Sequence, residues 1–163
     1  MSPKYFQPAL LGGLMMGVLS ALPIVNIGNC CCLWVIGGGV VAAYLLQGSH
    51  PQPISAGDGA LVGLLAGLFG AVVWLVVSIP LNMALGPFQR RLFERILENA
   101  QDIPDNMRAL FEGTATGAAM GIAYLVQFVV WLCIGAVFST LGGLLGAAIF
   151  KKKLPPSAAP TAF

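Results

Sequence analysis

The sequence predicts an all-α membrane protein, in which four transmembrane helices pack through stripes of small residues and an amphipathic connector joins helices 3 and 4. First, 58% of the 163 residues are hydrophobic and 9% are charged, whereas a soluble domain carries roughly 25% charged residues. Second, the apolar residues form uncharged runs of about 18 or more, the length that a helix needs to cross a bilayer. Third, small residues recur at four-residue spacing, which is typical of helices that approach closely in lipid.

The four spans are expected to form one domain over residues 1–153, followed by a disordered tail at 154–163. The spans are predicted at about residues 8–27, 30–47, 59–81 and 117–150. The first begins near Pro8, with Pro23 as a candidate kink, because proline lacks a backbone donor. The segment NIGN forms the first turn, and Pro80 marks the end of the third span.

The predicted connector covers residues 86–112, in a region (82–112) that holds nine of the fourteen charges of the chain. Its apolar residues recur at the spacing of one helical face, and its charges lie elsewhere. The apolar face consists of Phe88, Leu92, Phe93, Ile96 and Leu97. The helix predicted in GPFQRRLFERILENA has about 13 residues, too few and too charged to span, so we expect it in the headgroup region or against a partner.

The fourth span is unusually long, because residues 117–150 contain no charge over 34 residues. As one helix it extends about 51 Å, more than a hydrocarbon core of about 30 Å needs. We expect this helix to tilt, to project beyond the bilayer or to break near FSTLGG. Three lysines at 151–153 end it.

Four spans place both termini on one side of the membrane, which we expect to be a bacterial inner membrane. The positive charges are balanced, with Lys4 and the three C-terminal lysines on one side and four arginines on the other. The lysine triplet directly follows a span and is the strongest single anchor. It favours cytoplasmic termini.

Small residues at four-residue spacing are the most informative pattern, because lipid provides no hydrophobic drive between helices. The predicted packing residues are Gly13, Gly17 and Ala21 in the first span, Gly38 and Ala42 in the second, Gly59, Gly63, Gly67 and Ala71 in the third, and Gly135, Ser139, Gly143 and Ala147 in the fourth. Two interpretations follow. The stripes either pack the helices of one chain together, or some of them face other copies or other proteins.

Candidate chemistry is sparse. No ionisable residue lies inside a predicted span, which argues against a proton-coupled transporter. His50 is interpreted as a solvated loop residue, with ligation of a haem or pigment as the alternative, since no second ligand lies near it in sequence. A nucleophile, a base and an orienting group cannot be assembled, so we expect neither an enzyme nor a bound cofactor. The net charge of +2 is too small, and the basic residues are too dispersed, for a nucleic-acid surface.

The consecutive thiols Cys30, Cys31 and Cys32 are the other candidate site. Adjacent positions on a helix point about 100° apart, whereas metal sites use spacings that let thiolates converge. We therefore interpret these cysteines as small apolar packing residues. Metal relay, thiol exchange and acylation remain alternatives.

The segment NCCCLWVIGGGVVAAYLL, followed by ISAGDGALVGLLAG, is similar to small multi-span bacterial membrane proteins to which no activity is assigned. The resemblance covers residues 26–71. It implies a helical membrane protein and brings no site residues.

These observations predict an integral membrane structural or accessory subunit, with the lipid bilayer and other membrane subunits or copies of itself as partners. The alternative is a small oligomeric channel or uncoupled permease, with a pore where glycine stripes meet. A membrane thiol redox protein is a second alternative.

Overall fold

The computed structural model of the chain describes residues 3–22, 25, 29, 31–99 and 117–152, without the side chains of residues 3, 89–90, 92–94, 96–99 and 117–120. This part of the chain contains helices and no strand, so the prediction of an all-α fold is confirmed. The elements are α1 (Pro3–Ala21), α2 (Leu33–Ser49), α3 (Ala56–Asn99), α4 (Gly117–Ile134), a π-helical turn (Gly135–Ser139) and α5 (Thr140–Ile149).

Among the described residues, two helical stretches, and not four, are long and apolar enough by themselves to cross a membrane. They are Ala56–Phe88 in α3 and Gly121–Ile149 in α4, the π-helical turn and α5. Helix α2 is apolar but shorter, with 17 residues. The two candidates differ in burial, since 39% of the most apolar window is buried within the chain for Ala56–Phe88 and 11% for Gly121–Ile149. The second stretch is therefore the more peripheral one.

Helices α1 and α3 run in the same direction. A Cβ atom built on Gly13 would lie 2.7 Å from the carbonyl oxygen of Ala66, and one on Gly17 would lie 2.7 Å from that of Gly70. Residue numbers thus rise together along the two helices. A Cβ atom on Gly38 of α2 would lie 2.9 Å from the carbonyl oxygen of Gly12.

Helix α5 runs antiparallel to α3 and parallel to α2. Gly59, at the start of α3, faces Ala147 near the end of α5, whereas Gly67 faces Gly135. On α2, Ile36 faces Gly142 and Ala43 faces Gly146. Helix directions therefore alternate over α1, α2, α3 and the continuous stretch from α4 to α5, as in an up-down-up-down bundle.

The interior of the bundle contains two clusters of buried residues, one towards each end. The first packs around Ala42, Leu46 and Val62, with Tyr5 partly buried against it. The second packs around Met16, Val35, Ala71, Trp74 and Trp131. Alanine is frequent in the first cluster, whereas the two indole rings dominate the second.

The predicted bounds of the first two spans need correction. Helix α1 begins at Pro3 and ends at Ala21, rather than covering residues 8–27, because proline suits the first helical turn. Helix α2 begins at Leu33 rather than at residue 30, because Cys32 has a left-handed backbone, with φ of 53°. Its N–H donates to the carbonyl of Asn29 at 2.9 Å, which closes a turn. Pro23 lies outside the described residues.

The prediction that the third span ends at Pro80 is wrong, because α3 continues to Asn99 with Pro80 and Pro87 inside it. Proline removes one backbone hydrogen bond, but polar side chains can bond carbonyls near it. Ser78 Oγ donates to the carbonyl of Leu75 at 3.1 Å, and Asn82 Nδ2 donates to that of Ser78 at 2.8 Å. The first part of the predicted connector is therefore a continuation of α3, and residues 100–112 lie outside the described part.

A π-helical turn interrupts the long fourth apolar segment without ending it. Helix α4 leads directly into Gly135–Ser139, and α5 follows at Thr140. The Thr140 side chain donates to the carbonyl of Ala136 at 2.5 Å. Of the three expectations for this segment, a local irregularity close to FSTLGG describes the backbone here. Such turns occur mostly as single insertions inside α-helices. Residues 154–163 of the predicted tail lie outside the described part.

Candidate functional site

A close backbone contact joins α3 to the π-helical turn and α5, and we call it the α3–α5 seam. Its members are Gly59, Gly63 and Gly67 on one side and Gly135, Ser139, Gly143 and Ala147 on the other. A Cβ atom on Gly59 would lie 2.6 Å from both Gly143 O and Ala147 Cβ. A Cβ atom on Gly63 would collide with the carbonyl of Ser139. The two backbones thus touch along the seam.

One hydrogen bond crosses this seam in a fully buried position. Ser139 Oγ donates to the carbonyl oxygen of Gly63 at 2.8 Å, and the Ser139 side chain is 0% exposed. An unpaired hydroxyl group is unfavourable in an apolar interior. The bond therefore fixes the register of α5 against α3.

The same face of α5 also contacts α2, so Ser139 and Gly143 lie between two helices. A Cβ atom on Gly39 would collide with the carbonyl of Ser139 and lie 2.9 Å from Gly143 N. A Cβ atom on Gly38 would lie 2.8 Å from the Cβ of Met16 on α1. The centre of the bundle is closed by backbone contacts.

Every predicted packing residue has neighbours within the chain. The glycines of α1 and α2 contact the facing helices, and Ala42, Ala71 and Ala147 belong to the buried clusters, with Ala21 packed against one of them. In the described part of the chain, the predicted stripes thus contact neighbouring helices of the same chain, as in the first of the two interpretations. By contrast, a Cβ atom on Gly121 of α4 would meet nothing within 4 Å.

The predicted interfacial residues lie on the distal part of α3. The side chain of Phe88 is 68% exposed. The backbone at Leu92, Phe93, Ile96 and Leu97 is helical, and their side chains lie outside the described part. The apolar face predicted for the connector is thus described at Phe88 alone.

Polar side chains gather at the end of the bundle where α1 and α3 begin, and we call it the N-terminal end. Ser55 N and Oγ bond Asp58 Oδ2 at 3.1 and 2.7 Å, and Asp58 N donates to Ser55 Oγ at 3.1 Å. This reciprocal pattern is a capping box. Tyr5 on α1 donates its hydroxyl hydrogen to Asp58 Oδ1. The segment SAGD, a serine followed three residues later by an acid, is the signal that our sequence analysis missed.

These contacts change the ionisation of Asp58, which lies in the first turn of α3, ahead of its uncharged segment. The hydrogen bond from Tyr5, the bonds from Ser55 and the charge of Lys4 lower its pKa from 3.8 to about 2. Each of these groups favours the carboxylate over the neutral acid. Asp58 is therefore an anion that links α1 to α3.

The loop after α2 is fastened at the same end. The buried side chain of Gln47 donates to the carbonyl of Gln52 at 3.0 Å and accepts from the N–H of Ile54 at 2.9 Å. His50 Nδ1 lies 3.0 Å from the carbonyl of Leu46, and Lys152 Nζ lies 2.5 Å from the carbonyl of His50. His50 thus ends α2 and is held in place.

The opposite end carries the described cysteines. Cys31 and Cys133 are exposed and Cys32 is partly buried, all as free thiols, and Cys30 lies outside the described residues. In the described part of the chain, no three His, Cys, Asp or Glu side chains form a group that could hold a metal ion. At this end Trp74 of α3 and Trp131 of α4 pack with ring centres 5.5 Å apart.

Comparison with protein families, curated proteins and solved structures finds no match for this chain. A functional conclusion therefore depends on the geometry of the bundle. The resemblance over residues 26–71 stays a prediction.

Proposed function

We propose that the chain is an integral membrane protein with four antiparallel spans, and that it serves as a structural or accessory subunit of a larger membrane assembly. One observation carries this proposal. Small residues fill the contacts between the helices, whereas large apolar side chains point away from the bundle. Helices in water bury their large apolar residues, but helices in lipid associate through small ones.

The outward apolar side chains occur on every helix of the described part. Representative exposed fractions are 47% for Leu14 on α1, 55% for Tyr44 on α2, 63% for Val76 on α3, 66% for Leu125 on α4 and 50% for Leu145 on α5. Soluble proteins rarely expose contiguous apolar patches larger than a few hundred Å². A hydrocarbon environment around the whole bundle accounts for this surface.

Helix lengths support the placement of the bundle across a bilayer. Helices α1 and α2 have 19 and 17 residues, which correspond to about 28 and 25 Å. These lengths are close to a hydrocarbon core of about 30 Å. The alternating helix directions support a topology with both termini on one side, as four spans require. Because the lysines lie at the N-terminal end and positive charges favour the cytoplasmic side, we propose that this end faces the cytoplasm.

The longer helices support the role of a subunit. Ala56–Phe88 has 33 residues and Gly121–Ile149 has 29, which correspond to about 50 and 44 Å. Even a tilt of about 40°, the upper end of the usual range, leaves about 38 and 34 Å along the membrane normal. The excess apolar length of both stretches lies at the end of the bundle opposite the N-terminal end. There Leu125 and Val126 of α4 are exposed, and we propose that another subunit or a second copy covers them.

The closed centre of the bundle favours a subunit over a channel. Gly39, Gly63 and Ser139 meet through their backbones, which leaves no room for water at this point between the described helices. A pore would have to lie between copies. Of the described cysteines, Cys31 and Cys32 directly precede α2 and Cys133 lies on α4, all as free thiols, so they give no specific support to the thiol redox alternative.

Purification of the full chain in mild detergent, followed by mass spectrometry, tests the proposal. We expect resistance to carbonate extraction and a particle larger than the 16.9 kDa chain, with a stoichiometric partner or further copies. The double variant Leu125→Ala, Val126→Ala should lose the partner, because it removes the contact surface. The matched control Leu141→Ala, Leu145→Ala changes exposed residues on α5 and should retain it. Release by carbonate, or a particle of one chain alone, would contradict the proposal.

A further inference from the structure

We propose that a cleft between the start of α1 and the end of α2 binds a phosphate group that is carried on an apolar chain. The cleft has a volume of about 270 Å³. Its polar lining consists of Lys4, Gln7, Ser49 and His50, and its apolar lining of Pro8, Leu11 and Leu45. The lining thus combines a cation and hydrogen-bonding groups with an apolar wall, which are the features that the two parts of such a ligand need.

Lys4 provides the charge for an anion. Its Nζ lies 4.7 Å from the centre of the Tyr5 ring. The nearby carboxylate of Asp58 is occupied by hydrogen bonds from Tyr5 and Ser55. The three donors of the lysine ammonium group can therefore turn towards a ligand in the cleft. Gln7 is exposed and adds amide donors one helical turn further along α1.

His50 provides a second contact, from α2. Its Nδ1 lies 3.0 Å from the carbonyl oxygen of Leu46. Because a carbonyl oxygen only accepts hydrogen bonds, this contact assigns the proton to Nδ1. Nε2 is then the nitrogen that remains for a ligand, and as an acceptor it takes a hydrogen bond from a hydroxyl group on the phosphate or on its headgroup.

The charge around the cleft favours an anion. The described ends of α1, α2, α3 and α5 here carry Lys4, Lys151 and Lys152, against Asp58 as the acid. Lys152 Nζ contacts the carbonyl of His50 at 2.5 Å, which brings a second cation beside the cleft. Basic groups at a membrane surface attract anionic lipids.

The apolar wall points to a lipid as the source of the phosphate. Leu11 is 43% exposed and Leu14, one turn deeper on α1, is 47% exposed. These side chains continue the wall of the cleft along the outside of the bundle, where an acyl chain would lie. This inference rests on the proposed membrane placement. A free phosphate ion could make the same contacts with Lys4 and His50 as the phosphate group of a lipid.

Lipid binding to the full chain in neutral detergent micelles, counted by native mass spectrometry, tests the inference. The probes are dioleoylphosphatidylglycerol, dioleoylglycerol, which has the same chains without phosphate, and inorganic phosphate as a competitor. We expect phosphatidylglycerol to bind and dioleoylglycerol not to bind. Weak competition by inorganic phosphate would assign the site to a lipid, and equal affinity for it would assign the site to a free phosphate. Both outcomes support a phosphate site.

The variant Lys4→Gln should weaken binding of phosphatidylglycerol by roughly fivefold to tenfold. The control Lys151→Gln removes the same charge from the same end outside the cleft lining, and should change binding less than twofold. A second variant, Leu11→Trp, fills the cleft from an exposed position and should also weaken binding. Equal binding of dioleoylglycerol, unchanged binding by Lys4→Gln, or an equal loss in Lys151→Gln would overturn the inference. The phosphate competition remains readable even if carbonate releases the chain from membranes, so this inference and the proposed function can fail separately.

Discussion

Gly63 lies where a side chain would collide with the backbone of the facing helix. A Cβ atom there would overlap the carbonyl of Ser139 and lie 3.0 Å from the Cα of Gly143. Backbone atoms cannot rotate away as a flexible side chain can, so the helices would have to separate. Separation would also break the hydrogen bond from Ser139 to Gly63.

The variant Gly63→Val should therefore destabilise the bundle by about 2 kcal/mol, as overpacked cores usually do. Thermal loss of helical circular dichroism in detergent measures this change. The control is Gly121→Val, at a position with nothing within 4 Å of an added Cβ atom, and it should melt within a degree or two of the wild type. Equal melting temperatures for the two variants would show that the α3–α5 seam is not the tight contact described.

Asp58 acts as a link between α1 and α3 through its charge. Its pKa is lowered to about 2 by hydrogen bonds from Tyr5 and Ser55 and by Lys4. A carboxyl group whose pKa is lower in the folded state stabilises the fold above its unfolded value near 3.8, and this stabilisation disappears as the pH falls through about 2.

We expect Asp58→Asn to lower stability at neutral pH, on the order of 1 kcal/mol for the weakened hydrogen bonds. The difference from the wild type should shrink as the pH falls from about 4 to about 2. Melting temperatures of both proteins across this range measure the effect. The control Tyr5→Phe keeps the carboxylate and should shift the loss of stability towards higher pH. A constant difference between Asp58→Asn and the wild type at all pH values would contradict the account.

At the scale of elements, α3 shows what the sequence could and could not predict. The uncharged run from Gly59 indicated a span, and proline at 80 indicated its end. The helix continues to Asn99 through both prolines, because a proline removes one backbone hydrogen bond and can kink a helix without ending it. Phe88, which was predicted to lie on the apolar face of a separate connector helix, is therefore part of α3.

Spin labels at Val76→Cys and Arg91→Cys, in a background without the native cysteines, test the continuity of α3. Fifteen residues of helix separate them, which corresponds to about 22 Å along the axis. We expect a narrow distance distribution near this value. A pair at Ala56→Cys and Val76→Cys, which lies before both prolines of the helix, serves as the control. A broad or much shorter distance for the first pair alone would contradict a continuous helix.

The packing stripes illustrate a second limit of the sequence. Four-residue spacing identified Gly59 and Gly63 as residues on one face of the third apolar segment, and Ser139 and Gly143 as residues on one face of the fourth, because a helix brings such positions together. The spacing does not predict which helix each face contacts. That identity depends on helix direction and register, which the structure provides by placing Ser139 between Gly39 and Gly63.

The polar N-terminal end was harder to predict because it combines distant parts of the chain. Tyr5 meets Asp58, 53 residues away, and Lys152 meets His50, 102 residues away. The capping box at Ser55 and Asp58 is local, however, and its sequence signal was available. The cleft beside Lys4 arises only once α1 and α2 pack antiparallel.

At the scale of the whole molecule, the described helices form a bundle with small residues inside and large apolar residues outside. Lys4, Gln52 and Lys152 lie at its N-terminal end, and Cys31 lies at the other. The proposed four spans place these two ends on opposite sides of the membrane. The positions of Lys4 and Cys31 distinguish four spans from two. If only α3 and the stretch from α4 to α5 crossed the membrane, α1 would not cross it, and Lys4 and Cys31 would lie on the same side.

Labelling of single-cysteine variants with a membrane-impermeant maleimide is the most direct measurement. Variants with one cysteine at Lys4→Cys, Gln52→Cys or Lys152→Cys, and a variant that retains Cys31 alone, are compared in intact and in inverted membrane vesicles. We expect the first three to react from one side and Cys31 to react from the other. Reaction of Cys31 and Lys4→Cys from the same side, or reaction of all four from both sides, would contradict the four-span bundle.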